Sequence, residues 1–211
     1  MVRTRLASAD RRLSIIAAAR SVFAEHGYEG ARTQQIAEAA QVSEALIYRH
    51  FPSKTALYRA VLRSLIEEQD RIIADVAPPS PSAQGLVEML HALLRHGLQG
   101  DEAPNAEGVR VLLASLAGDS SFARLVYRRA QRLTYRHMDA ALAAAVATGE
   151  ARDASLSSTN AIFFMTHVSA MLQASRRGAR PAIDYVGAPD AILREAVWFC
   201  GRGLGLTDDA L

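Results

Sequence analysis

An all-α fold is predicted by three features: apolar residues recur at three- and four-residue spacing, no run alternates β-forming and polar residues, and no Asn-Gly or Asp-Gly turn punctuates the chain. With half of its 211 residues hydrophobic and 22% charged, the chain supports a packed core and does not read as a disordered tail. The 22 residues from Ala154 to Ser175 carry no formal charge, yet ten are polar, which suits a helix buried in protein better than a bilayer span. The start, MVRTRLASADRRLS, is basic and polar without the apolar run of a signal peptide, so a cytoplasmic location is expected.

The first helix is expected over Asp10–His26, where Ile15, Ala19 and Val22, with Ile16 and Phe23 beside them, form one apolar stripe. Asp10 or Ser8 caps its start and Gly27 stops it. Thr33 is the next N-cap candidate and opens a short helix through Ala40, with Ile36, Ala37 and Ala40 inward. Ser43 then caps a third helix running to Phe51. After the Pro52-Ser53 break, Ser53 caps a fourth over residues 54–76, with Leu57, Val61, Leu65 and Ile72 at helical spacing. The clearest boundary is the Pro-rich stretch 77–83. Beyond it, helices are expected at 84–98, 107–117, 120–148, 155–176 and 189–206, about nine in all. Two domains follow: a head at 1–53 joined through helix 54–76, and a helical body at 77–211.

Charge divides the same way. Residues 1–63 hold ten basic and five acidic side chains, whereas the whole chain is only +2, so the remainder is negative. A basic head suits a polyanion partner, although chance clustering accounts for the division too. Three short helices in under 50 residues form the pattern of a helix-turn-helix. Its recognition helix is SEALIYRHF, with Leu46, Ile47 and Phe51 packed inward and Glu44, Ala45, Tyr48, Arg49 and His50 toward double-stranded DNA. Glu44 can accept from a cytosine amine and Arg49 can donate twice to a guanine edge. Thr33, Tyr48 and Lys54 carry donors for phosphate oxygens, and the helix start at Thr33-Gln34 adds backbone N–H groups. A plain helical hairpin, with Tyr48 and His50 as packing residues, fits the spacing equally well.

The segment from Ile15 to Leu62 resembles the DNA-binding domain of the TetR family of bacterial transcriptional regulators. The matching elements, in order, are FAEHGYEG, the Thr33 position, IAEAA, VS, IYRHF and SKTAL. The resemblance implies a homodimer, usually a repressor, with one head on each half of a palindromic operator. It assigns phosphate contacts to Thr33, Tyr48 and Lys54 and base reading to Glu44, Ala45, Arg49 and His50, and it makes Arg3 and Arg5 a basic arm. Two positions depart from the family pattern. Gln41 stands where Gly is usual in the turn, a costlier choice if that position needs positive φ. Glu44 stands where Lys or Arg is frequent.

For the body, the resemblance implies effector binding between helices and dimerisation through the last two. Phe164, Met171, Leu193, Val197 and Trp198 are then the interface candidates, though packing within one monomer is the alternative. Pocket candidates for a small apolar or amphipathic effector are Phe122, Val126, Tyr127, Met138, Phe163 and His167; for each alone, an ordinary core position is the plainer reading. Arg128, Arg129, Arg132 and Arg136 read as a solvated face. No cofactor and no metal are expected, since the six histidines are scattered and Cys200 is the sole cysteine. Nucleophile elbow, phosphate-loop and dinucleotide motifs are absent, so an enzyme is not expected. A DNA-binding protein without an effector stays open beside the ligand-responsive regulator.

Overall fold

The computed structural model describes residues 8–74, 80–103, 105–152, 156–176 and 181–211. Among them are nine α-helices: α1 (Ser8–Gly30), α2 (Thr33–Ala39), α3 (Glu44–His50), α4 (Lys54–Ala74), α5 (Ala83–Leu98), α6 (Ala106–Ala117), α7 (Ser121–Ala147), α8 (Ser158–Ser175) and α9 (Pro189–Gly203). A 3-10 turn at Gly100–Glu102 follows α5, and the sole described β-bridge joins Ala151 to Leu206. No described helix is long and apolar enough to cross a membrane. The Pro-rich boundary and the side chain of Ile72 lie outside the described residues.

Four of the nine described helices begin where a serine hydroxyl can replace a missing intrahelical acceptor. Ser43 accepts from the Leu46 N–H at 3.2 Å and Ser53 from the Ala56 N–H at 3.1 Å. Ser82 and Ser157 do the same for α5 and α8. The α2 start differs from expectation: Arg32, not Thr33, is the N-cap, because the Gln35 side chain reaches back to accept the Arg32 N–H at 2.8 Å. Gly27 does interrupt α1, with φ 66° and ψ −179°, and a further helical turn follows it. Only a residue without Cβ adopts that conformation freely.

The helices form two units. The first comprises α1 to α4 together with Glu107–Arg124, and the second comprises α5, the 3-10 turn and Leu125–Leu211. The division differs from the expected cut near residue 77, since most of α6 and the first turn of α7 belong with the head. Charge explains the attachment: the Arg20 guanidinium of α1 pairs with Glu68 of α4 at 2.5 Å and with Glu107 of α6 at 2.8 Å. In this unit Ile15, Ala19, Phe23, Ile36 and Val61 are wholly shielded from solvent, with Ile47, Phe51 and Leu57 beside them. That is the stripe pattern the sequence predicts.

In the second unit, Leu86, Leu90 and Leu94 lay one apolar stripe of α5 against α8 and α9. Gly97 lets α5 approach α8 closely: a Cβ there would stand 2.7 Å from the Ser169 carbonyl oxygen. The Ser169 hydroxyl donates to the Leu93 carbonyl at 2.9 Å, and the buried Gln173 amide donates to the Gly100 carbonyl at 3.1 Å. Burial in α9 pushes the pKa of the Cys200 thiol upward, which disfavours the nucleophilic thiolate.

Candidate nucleic-acid interface

Helices α2 and α3 are joined by the four-residue turn Ala40–Ser43, which sets the angle of α3. The Gln41 N–H donates to the Glu38 carbonyl at 3.0 Å, and the Val42 N–H donates to the Ala37 carbonyl at 2.9 Å. These are the paired bonds of a Schellman ending, which requires a left-handed residue between them. Gln41 fills that place with φ 53°, so this departure from the family pattern does fall on a positive-φ position.

With the turn so made, α3 buries Ile47 and turns Glu44, Ala45, Tyr48 and Arg49 outward. Arg49 is exposed and bonds to no described residue, leaving its guanidinium available. Glu44 lies in the first turn of α3, where the helix dipole favours its charge. His50 is half-buried rather than outward, because it follows the buried Ile47 by one helical step of three. The Thr33 hydroxyl of α2 and the Tyr48 hydroxyl of α3 lie 3.3 Å apart, a pair of neutral donors carried by different helices. Gln34 is exposed and its amide donates to Glu38 at 3.1 Å. Arg3 and Arg5 lie outside the described residues.

Lys54 opens α4 on the same unit. Its ammonium donates to the Glu29 carbonyl at 3.2 Å and stands 4.8 Å over the Tyr28 ring. Tyr28 is in turn held by the Thr55 hydroxyl at 2.7 Å and packs against Tyr58. Those contacts engage part of the ammonium and leave donors for an anion. Sequence reading missed Tyr28 and Glu29 as the groups that position Lys54, although both sit in the quoted FAEHGYEG stretch. It also missed Arg12, whose guanidinium lies 4.8 Å over the Phe51 ring at the end of α3.

The body residues sort into separate places. Tyr127, Phe163 and His167 meet: the Tyr127 ring is edge-on to Phe163 at 5.5 Å and to His167 at 5.3 Å. Val126 is buried beside them in sequence, and Met138 belongs to the apolar core of the second unit. Phe122 is not brought to this group. It lies in the first turn of α7, within the other unit, with its N–H bonded to the Ser115 hydroxyl at 3.0 Å.

Of the interface candidates, Phe164, Met171 and Trp198 are about half exposed, and the unanticipated Phe199 is more so at 67%. Phe164, Trp198 and Phe199 line an apolar groove of about 510 Å³ between α8 and α9. Leu193 and Val197 depart from expectation: both are buried in this chain's own core, because they fall on the face of α9 that packs toward α5.

A capped helix-turn-helix, with an exposed arginine on its second helix and hydroxyls beside it, defines a DNA-binding head on a helical body. Residues 15–61 match the family described as bacterial regulatory proteins, tetR family. The transcriptional repressor AcnR of Corynebacterium diphtheriae is 35% identical over 86 residues, 41% of either chain. The transcriptional regulator RutR of Escherichia coli K12 is 45% identical over 65 residues, 31% of this chain and 30% of its own. The matched stretches thus span less than half the length of these relatives. A crystal structure of AibR in complex with isovaleryl coenzyme A and operator DNA has the same fold, with TM-score 0.64, 20% identity, and coverage of 90% of this chain and 97% of that one. The tetR-family match thus belongs to the head, residues 15–61, and the chain shares its fold with solved structures such as AibR.

Proposed function

We propose that this chain is a homodimeric transcriptional regulator, a repressor that holds a palindromic operator through α3 and releases it when a small apolar or amphipathic effector enters the body. The observation that carries the reading is the outward face of α3. It presents Glu44, Ala45, Tyr48 and Arg49 on a helix anchored by the Ser43 cap and the buried Ile47. Arg49 reads a guanine edge, while Thr33, Tyr48 and Lys54 hold phosphates and set register. Two heads are needed for half-sites about 34–36 Å apart. The exposed Phe164, Trp198 and Phe199 offer the apolar surface for pairing two copies. The AibR complex, holding both an acyl thioester and DNA, supports an effector in a body of this fold.

Release follows from differential affinity. An effector that prefers the conformation whose heads mismatch the operator by about 100-fold supplies about 2.7 kcal/mol of coupling. Operator selection with the purified protein tests the head. Lys54→Ala should weaken all sequences alike and lower the salt-dependence slope by about 1. Arg49→Ala should cost about 1–3 kcal/mol on the selected operator alone. An unchanged consensus in the Arg49 variant would remove that side chain from the groove.

A further inference from the structure

The Tyr127 hydroxyl is buried, and no described group forms a hydrogen bond with it. It sits on α7 against two rings of α8, and one of these, His167, is exposed at the surface. We propose that Tyr127 is the polar anchor of the effector site and that the effector is an amphipathic molecule bearing a carboxylate or carbonyl oxygen, which accepts from the Tyr127 hydroxyl. This rests on the effector reading above and specifies its chemistry.

The reasoning begins with cost. A buried hydroxyl left unbonded loses its water without replacement, which destabilises the free protein. Native chains leave few such groups, so each one calls for a specific cause, and an acceptor oxygen arriving with a ligand is the cause assigned here. Burial also pushes the pKa of the Tyr127 phenol upward, so the group stays protonated and acts as a donor at neutral pH. A donor in apolar surroundings selects an acceptor oxygen. Phe163 offers an apolar wall beside the hydroxyl, and the exposed His167 marks the side from which solvent, and hence a ligand, reaches it.

The test uses the full-length protein and its Tyr127→Phe variant, with decanoate as probe. Without ligand, the variant should melt higher, by about 2 °C or more, since the unbonded hydroxyl is gone. Decanoate should bind the wild type and bind the variant about 10- to 100-fold more weakly, the loss expected for a hydrogen bond to a charged acceptor. A variant less stable than wild type would mean the hydroxyl has a structural partner, and would overturn the proposal. So would equal decanoate affinity for the two proteins, or no binding to either. Operator release separates this from the regulatory reading. Binding through Tyr127 that leaves the operator complex intact supports the anchor and removes the effector role. Equal release of wild type and variant keeps the effector role and removes the anchor.

Discussion

Replacing Gln41 by glycine isolates the backbone cost of the turn between α2 and α3. The left-handed conformation at φ 53° costs an L-residue about 1–2 kcal/mol. The Gln41 side chain is exposed and bonds to no described residue, so nothing in the fold offsets that cost locally. Glycine removes it but has more freedom to lose on folding, a penalty of about 0.5–1 kcal/mol. The difference predicts that Gln41→Gly stabilises the protein by about 0.5–1 kcal/mol, a rise of about 1–4 °C in melting temperature for a chain of this size. Urea unfolding followed by circular dichroism measures it, with an unchanged m-value showing that both end states are preserved. A Gln41→Val variant should move the other way, because a branched Cβ is worse in this region. If glycine lowered stability, the turn would be held by something other than the two Schellman bonds, and the account of how α3 is aimed would be wrong.

Three other outcomes are expected. Gly97→Ala should destabilise by about 1–3 kcal/mol despite its better helix propensity, because the new Cβ meets the Ser169 carbonyl rather than a movable side chain; thermal melts check this. For Asp119, burial pushes the carboxyl upward, but bonds from Ser121 and Ser115 and the charge of Arg124 outweigh it and hold the group below the ordinary carboxylate range. Its contribution to stability is therefore present above the unfolded value and lost as pH falls through the lowered folded value, and Asp119→Asn should flatten that acid limb of a stability–pH curve. Trp198→Arg with Phe199→Arg should give a folded monomer in sedimentation, whereas Leu193→Arg should unfold the chain by burying an unpaired charge. A wild type that sediments as a monomer at micromolar concentration would remove the dimer.

Helix positions were legible because the signals are local. The Ile15–Ala19–Phe23 stripe and the Ser43 and Ser53 caps are set by residues three or four apart, and each is where the sequence predicts. Thr33 was misread as a cap since threonine is a common one, and the competing reach of Gln35 to the Arg32 N–H is visible only in three dimensions. The outward residues of α3 followed from helix geometry, apart from His50. Periodicity names an apolar face but not what covers it. Leu193 and Val197 thus looked like interface residues, though α5 already covers that face, and Phe122 looked like a neighbour of Tyr127, though it packs in the other unit. That no described group bonds the Tyr127 hydroxyl has no trace in sequence, since it depends on the atoms around it.

Under the proposed effector reading, the close passage at Gly97 bears on where the body could make room for a different ligand. At Gly97 a Cβ would meet the Ser169 carbonyl, so that point of the α5–α8 seam holds no side chain on α5 whose trimming could create room. Between α7 and α8 the spacing is kept by removable groups instead: Gln131 to Thr159 at 3.4 Å, Ser158 to Asp139 at 2.8 Å, and the Tyr127 ring against Phe163 and His167. Trimming any of these opens volume without unseating the core stripe of α5. If the effector reading holds, sequences selected for a new effector should vary along α7 and keep glycine at 97, and directed evolution would be aimed best at the same wall.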